Sequence, residues 1–132
     1  EAAVRRGEEP AATLGERRNQ AQRLRDLGAR RVLVKGGHLS GDAGDAVDVY
    51  ADADGVEILR GRRVATQNTH GTGCTLSSAI ASLRPRRATW LEAVRDAKDY
   101  LTGAIEHADA LGIGHGHGPV HHFYRAWIRT GW

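Results

Sequence analysis

The chain has 132 residues, a net charge of +3, a pI near 9.5 and 40% hydrophobic residues. This suits one domain or part of one. No apolar run approaches the roughly 18 residues of a membrane span, and the start, "EAAVRRGEEPAATLGERR", lacks the apolar centre of a signal peptide. Seventeen of the 19 basic residues are arginine, but the pairs are scattered, from Arg5-Arg6 to Arg86-Arg87, and aromatic residues make up only 5%. That pattern argues against a nucleic-acid-binding face. A single cysteine excludes an internal disulfide and fits a reducing cytoplasm. Methionine is absent. A complete reading frame starts with one, so the chain is expected to be processed, trimmed or a fragment.

Residues 1–10 read as unstructured. From about Pro10 to Gly28, Leu14, Ala21, Leu24 and Leu27 fall on one helical face, with Gly28 as the stop. In "RRVLVKGG", the run Val32-Leu33-Val34 ends at two glycines and reads as a strand buried on both faces, as in parallel sheets. A helix followed by such a strand is the second half of a β-α-β unit, so the sheet is expected to lack its first strand here. Ala46 to Tyr50 and Val56 to Leu59 read as a hairpin around a turn at Asp52 to Gly55. Leu76, Ala79, Ile80 and Leu83 mark a core-facing helix that Pro85 ends. Leu91, Val94, Ala97, Leu101, Ala104, Ile105 and Ala108 continue the period in a second helix. The tail, "LGIGHGHGPVHHFYRAWIRTGW", reads as a loop with a short packed end.

Between the hairpin and the first of these helices stands "NTHGTGCTLS". Glycines at 71 and 73 let the backbone turn tightly and approach a ligand. The first amides of a helix lack internal partners, and the helix dipole adds partial positive charge. Together they suit a phosphate or the charge that develops during phosphoryl transfer. The loop is not a Walker A sequence, and Leu76 leaves the dinucleotide pattern G-x-G-x-x-G incomplete. Cys74 falls in the first turn, where the dipole favours a thiolate that can act as base or nucleophile. A free cysteine serves as well as a small buried hydrophobe. Lys35 ends the buried strand, where ligands gather in open α/β sheets, and can reach a phosphate as a point charge. It can equally be an exposed strand-end lysine. His115, His117, His121 and His122 raise the question of zinc, but no cysteine or carboxylate joins them and nothing puts them on one face. A loop near an active site is the expected role.

The segments "VLVKGGHLSGD", "AVDVY", "NTHGTGCTLSSAIAS" and "GHGPVHHFY" closely resemble, in order, the C-terminal half of the hydroxymethylpyrimidine/phosphomethylpyrimidine kinases of thiamine biosynthesis. That family belongs to the ribokinase-like superfamily, and the resemblance covers about residues 20 to 124. It implies that residues 1–132 form part of a ribokinase-like kinase domain, α/β in class, a three-layer α/β/α arrangement with a mainly parallel sheet. It implies ATP-dependent phosphorylation of hydroxymethylpyrimidine and its monophosphate, with magnesium. Gly71, Thr72, Gly73 and the amide of Cys74 would form the anion hole, and Cys74 would be the base for the substrate hydroxyl. Lys35 and Thr69 would lie near the nucleotide phosphates. The resemblance also suggests a cytoplasmic homodimer. Family members are roughly twice this length, and their N-terminal half supplies most of the pyrimidine pocket, so the chain alone is expected to be weakly active or inactive. The alternatives are a non-catalytic phosphate- or nucleotide-binding module and a pyridoxine-type kinase.

Overall fold

The computed structural model describes residues 13–36 and 45–130. The expected unstructured start at 1–10, the helix onset at Pro10, and Gly37 and His38 of the K-G-G-H segment lie outside these residues. The described chain forms two compact units that meet in sequence between Arg63 and Val64.

In the first unit, helix α1 (Leu14–Asp26) covers a three-stranded sheet of β1 (Val32–Val34), β2 (Asp45–Asp52) and β3 (Gly55–Arg62). Thr13 starts α1 with a reciprocal capping box. Its hydroxyl accepts from the Glu16 amide at 3.2 Å, and the Glu16 carboxylate accepts from the Thr13 amide at 3.0 Å. The helix stops where expected, and Gly28 follows at a φ of 104°. Its buried face differs from the apolar pattern. Arg17, Gln20 and Ala21 are buried, while Leu27 is 66% exposed. Leu27 is the C-terminal cap and has left the helical face. Arg17 is buried together with its guanidinium, which donates from Nη1 to the Val47 carbonyl at 2.7 Å.

The strand order is β1-β2-β3, and both pairings are antiparallel. The expected hairpin is present, with Asp52 opposite Gly55 across the turn. Val32-Leu33-Val34 forms the expected strand, β1. Among the described residues its one neighbour is β2, met antiparallel, with Val32 opposite Ala51 and Val34 opposite Val49. Only Val34 of β1 is buried, so the expected burial of the whole run is not found among the described residues. The strand that is buried along its length is the central one, β2, from Val47 to Ala51. Val34, Val49 and Ala51 pack with Ala21 of α1. Asp48 is buried with them, and its carboxylate accepts from the Gly36 amide at 2.8 Å.

In the second unit, α2 (Thr72–Leu83) packs against α3 (Trp90–Glu106) through a 3-10 turn at Arg84–Arg86 that contains Pro85. A second capping box, Thr89 with Glu92, starts α3. Its period holds, burying Val94, Ala97, Leu101 and Ala104 as expected, together with Ala93 and Gly103. Lys98 is also buried. A 3-10 turn at Ala108–Leu111 ends α3, and α4 (Tyr124–Thr130) closes the unit. Tyr124 is buried with Ala104 and Val120, its ring stacked on His107 at 5.0 Å. No helix among the described residues is long and apolar enough to cross a membrane.

Thr89→Ala removes the hydroxyl half of the α3 capping box and is expected to cost about 0.5–2 kcal/mol; urea unfolding checks the value. A second prediction concerns Tyr50, whose hydroxyl donates to Asp52 at 2.7 Å. Burial, and then that hydrogen bond to a carboxylate, push Tyr50 from 10.0 up to about 12. Its contribution to stability is therefore complete below the unfolded value of 10 and is lost as pH rises through about 12. Unfolding titrations should find the stability advantage of the wild type over Tyr50→Phe shrinking across that interval.

Candidate active site

The candidate loop lies wholly in the second unit. It leads into α2, and Gly71 caps α2 at a φ of 83°, in the left-handed region. A side chain there would be strained, so glycine is required for the chain to enter the helix at this angle. Thr72, Gly73 and Cys74 then form the first turn. The Thr75 amide closes onto the Gly71 carbonyl at 2.8 Å, and the Thr72 amide reaches Thr69 at 3.4 Å. Among the described residues, none accepts from the amides of Gly73 and Cys74. A Cβ built on Gly71 or Gly73 would meet nothing within 4 Å, so the space over this turn is open. Two free donors on exposed residues at the positive end of a helix form an anion-binding geometry.

Cys74 is exposed, which excludes the reading as a small buried hydrophobe. It opens on a groove of about 750 Å³ that also takes in Thr75, Ser78, Tyr100 and His122. Thr75 is buried, and its hydroxyl lies 3.0 Å from Nε2 of His122. The Tyr100 hydroxyl donates to the His122 carbonyl at 2.8 Å. The ion pair between Arg87 and Asp96 also lines the groove.

Thr69 is exposed one residue before His70, within the same loop. Gly71, Thr72, Gly73, Cys74 and Thr69 are therefore brought together. Lys35 belongs to the first unit, where it is exposed directly after β1. The four tail histidines do not converge: three meet separate partners and one is exposed. Nδ1 of His117 lies 3.0 Å from the Gln67 carbonyl. His121 is buried, edge-on to Trp127 at 4.3 Å. His122 meets Thr75, and His115 is exposed.

Sequence reasoning passed over the residues that anchor the loop from behind. Asn68 uses its whole side chain. Its Oδ1 accepts from the Gly118 amide at 2.7 Å, and its Nδ2 donates to Asp109 at 2.8 Å. Asp109 accepts from the Thr66 hydroxyl as well. The donors at Thr66, and then at Asn68, hold the Asp109 carboxyl below its ordinary range. The His70 amide donates to Gly118 at 3.1 Å, and His70 forms a parallel bridge with Pro119. Asn68 stood inside the quoted motif and is a residue whose amide commonly braces loops. Asp109, 41 residues further on, carried no pattern that would have paired it with the loop.

The family model for phosphomethylpyrimidine kinase matches residues 1–121, reaching nearer the N-terminus than the motif-bearing stretch of 20–124. The hydroxymethylpyrimidine/phosphomethylpyrimidine kinase of Rhizobium meliloti is 48% identical over 127 residues, 96% of this chain and 47% of that protein. The enzyme of the same name from Escherichia coli is 45% identical over 117 residues, 89% of this chain and 43% of its own length. The chain thus spans about half the length of the curated relatives it matches. Among solved structures, an ADP complex of Bacillus subtilis pyridoxal kinase superposes with a TM-score of 0.84 at 30% identity, over 95% of this chain and 46% of that one. Staphylococcus aureus pyridoxal kinase with AMP-PCP and pyridoxal gives 0.83 at 27% identity, over 92% and 44%. The α/β, ribokinase-like class therefore holds, while the strands described here contribute an antiparallel portion of the sheet. The chain belongs to the phosphomethylpyrimidine kinase family.

Proposed function

We propose that this chain carries the phosphoryl-transfer side of a hydroxymethylpyrimidine/phosphomethylpyrimidine kinase. The observation that carries the reading is the pair of unbonded amides at Gly73 and Cys74, in the same helical turn as an exposed Cys74 thiol. Gly71, Thr72 and Gly73, with the Cys74 amide, hold the oxygens of the transferring phosphoryl group, where preorganised donors act most strongly. Cys74 is the base that takes the proton of the acceptor hydroxyl. The hydroxyl oxygen forms the new O–P bond as the bond from phosphorus to the departing ADP oxygen breaks. Lys35 and Thr69 are assigned to the nucleotide phosphates.

ATP supplies the phosphoryl group, in keeping with the ADP and AMP-PCP bound by the similar pyridoxal kinases. Magnesium is expected from the family. Among the described residues no group of three or more His, Cys, Asp or Glu converges to hold it, so it is given no residue here and no step runs through it. Because the relatives are about twice as long, we assign most of the acceptor pocket to further chain beyond these residues. A homodimer and a cytoplasmic location complete the reading; the latter fits a single cysteine that stays free and exposed.

The pyridoxal kinase neighbours favour one second reading, a pyridoxine-type acceptor at the same phosphoryl site. The deciding experiment assays the intact protein with ATP against hydroxymethylpyrimidine phosphate and pyridoxal in parallel. Turnover of the pyrimidine should dominate. Cys74→Ala should lower it about 10²–10⁴-fold, the usual scale for loss of a general base. Because the mutation spares both amides, ADP binding should persist. A loss under about threefold contradicts the role of Cys74 as base, and dominant turnover of pyridoxal supports the second reading.

A further inference from the structure

Asp109 lies on the 3-10 turn after α3, outside the loop and outside the groove onto which Cys74 opens. Its carboxylate gathers two donors from the approach to the loop, the Thr66 hydroxyl and the Asn68 side-chain amide. The Thr66 hydroxyl in turn accepts from the backbone amide of Asn68 at 3.1 Å. With its NH2 group held this way, Asn68 is left with its carbonyl oxygen facing Gly118, 50 residues away in sequence. That contact is intimate. A Cβ on Gly118 would sit 2.5 Å from Asn68 Oδ1, which no side chain tolerates without displacement. Three residues after Asn68 comes Gly71, the left-handed residue that aims the free amides.

We propose that Asp109 is a positioning residue. Through Thr66 and Asn68 it clamps residues 66–70 to the 117–120 segment and so holds the Gly71–Cys74 turn in its anion-binding conformation. The Asn68 amide can flip or swing if nothing fixes it, and each flip would set a donor against the Gly118 N–H. An acceptor beside Nδ2 settles the orientation, and the Asp109 oxygen that also accepts from Thr66 supplies it. The Thr66 hydroxyl adds a second anchor to the same oxygen. Small errors in the aim of a catalytic turn are costly even when the chemistry is untouched.

The consequence for turnover rests on the kinase reading; the clamp itself does not. The test therefore has two readouts on the intact protein and three variants. Amide exchange at His70 and Gly118 reports the clamp, and kcat with KM for ATP reports its effect on transfer. Asp109→Ala and Gly118→Ala should speed exchange at both amides by about tenfold or more. Asp109→Asn keeps a carbonyl acceptor for Thr66 and Asn68, and should stay within about threefold of the wild type. In Asp109→Ala, kcat should fall about 10–100-fold, with KM for ATP changed less than about threefold. Unchanged exchange in Asp109→Ala overturns the proposal, as does faster exchange in an active enzyme whose kcat is unaffected. A wild type that transfers no phosphoryl group overturns the kinase reading alone. Exchange that responds to Asp109→Ala and not to Asp109→Asn then still supports the clamp.

Discussion

The left-handed turn at Gly71 is the constraint on which the functional reading depends. It ends the incoming loop and starts α2 in a single step, so that the amides of Gly73 and Cys74 stay unbonded while Thr75 closes the helix. A helix entered through a serine or aspartate cap would have spent one of those donors on the cap's own oxygen. The other two long helices illustrate the contrast. Both α1 and α3 begin with threonine and a reciprocal glutamate. The helix with the proposed task is the one without a side-chain cap.

An uncapped helix start needs support from elsewhere, and the second unit supplies it with polar contacts rather than apolar packing. Asn68 ties the loop to Gly118, and Asp109 ties Asn68 and Thr66. The 117–122 segment is fixed in turn by its backbone on α3, with the His121 amide on the Ala104 carbonyl at 2.8 Å and Tyr100 on His122. Tyr124 then buries its ring against Ala104 and Val120. The amphipathic α3 thus anchors the tail, and the tail braces the loop.

Much of this was legible in the sequence because it rests on local chemistry. Gly28, the turn at Asp52 to Gly55, Pro85 and the apolar period of α3 are short-range signals, and each marks an element end or face found in the structure. The loop "GTGC" was legible for the same reason. What escaped was long-range or disguised. Val32-Leu33-Val34 is an apolar run, and runs of this kind do not reveal the direction of a partner strand. In β2, hydrophobicity was interrupted by Asp48, which is buried because Gly36 donates to it. Arg17 and Lys98 are buried although charged, and for Arg17 the guanidinium itself goes inward to the Val47 carbonyl. Asp109 and Asn68 meet only through the fold.

The kinase reading requires the first turn of α2 to receive the terminal phosphoryl group of a nucleoside triphosphate. The most direct measurement is a backbone-amide NMR titration of the intact protein with AMP-PCP, which keeps that group without transferring it. The resonances of Gly73 and Cys74 are expected to move among the furthest and to saturate with the bound fraction. AMP-PCP binding that shifts other amides and leaves these two in place would contradict the reading.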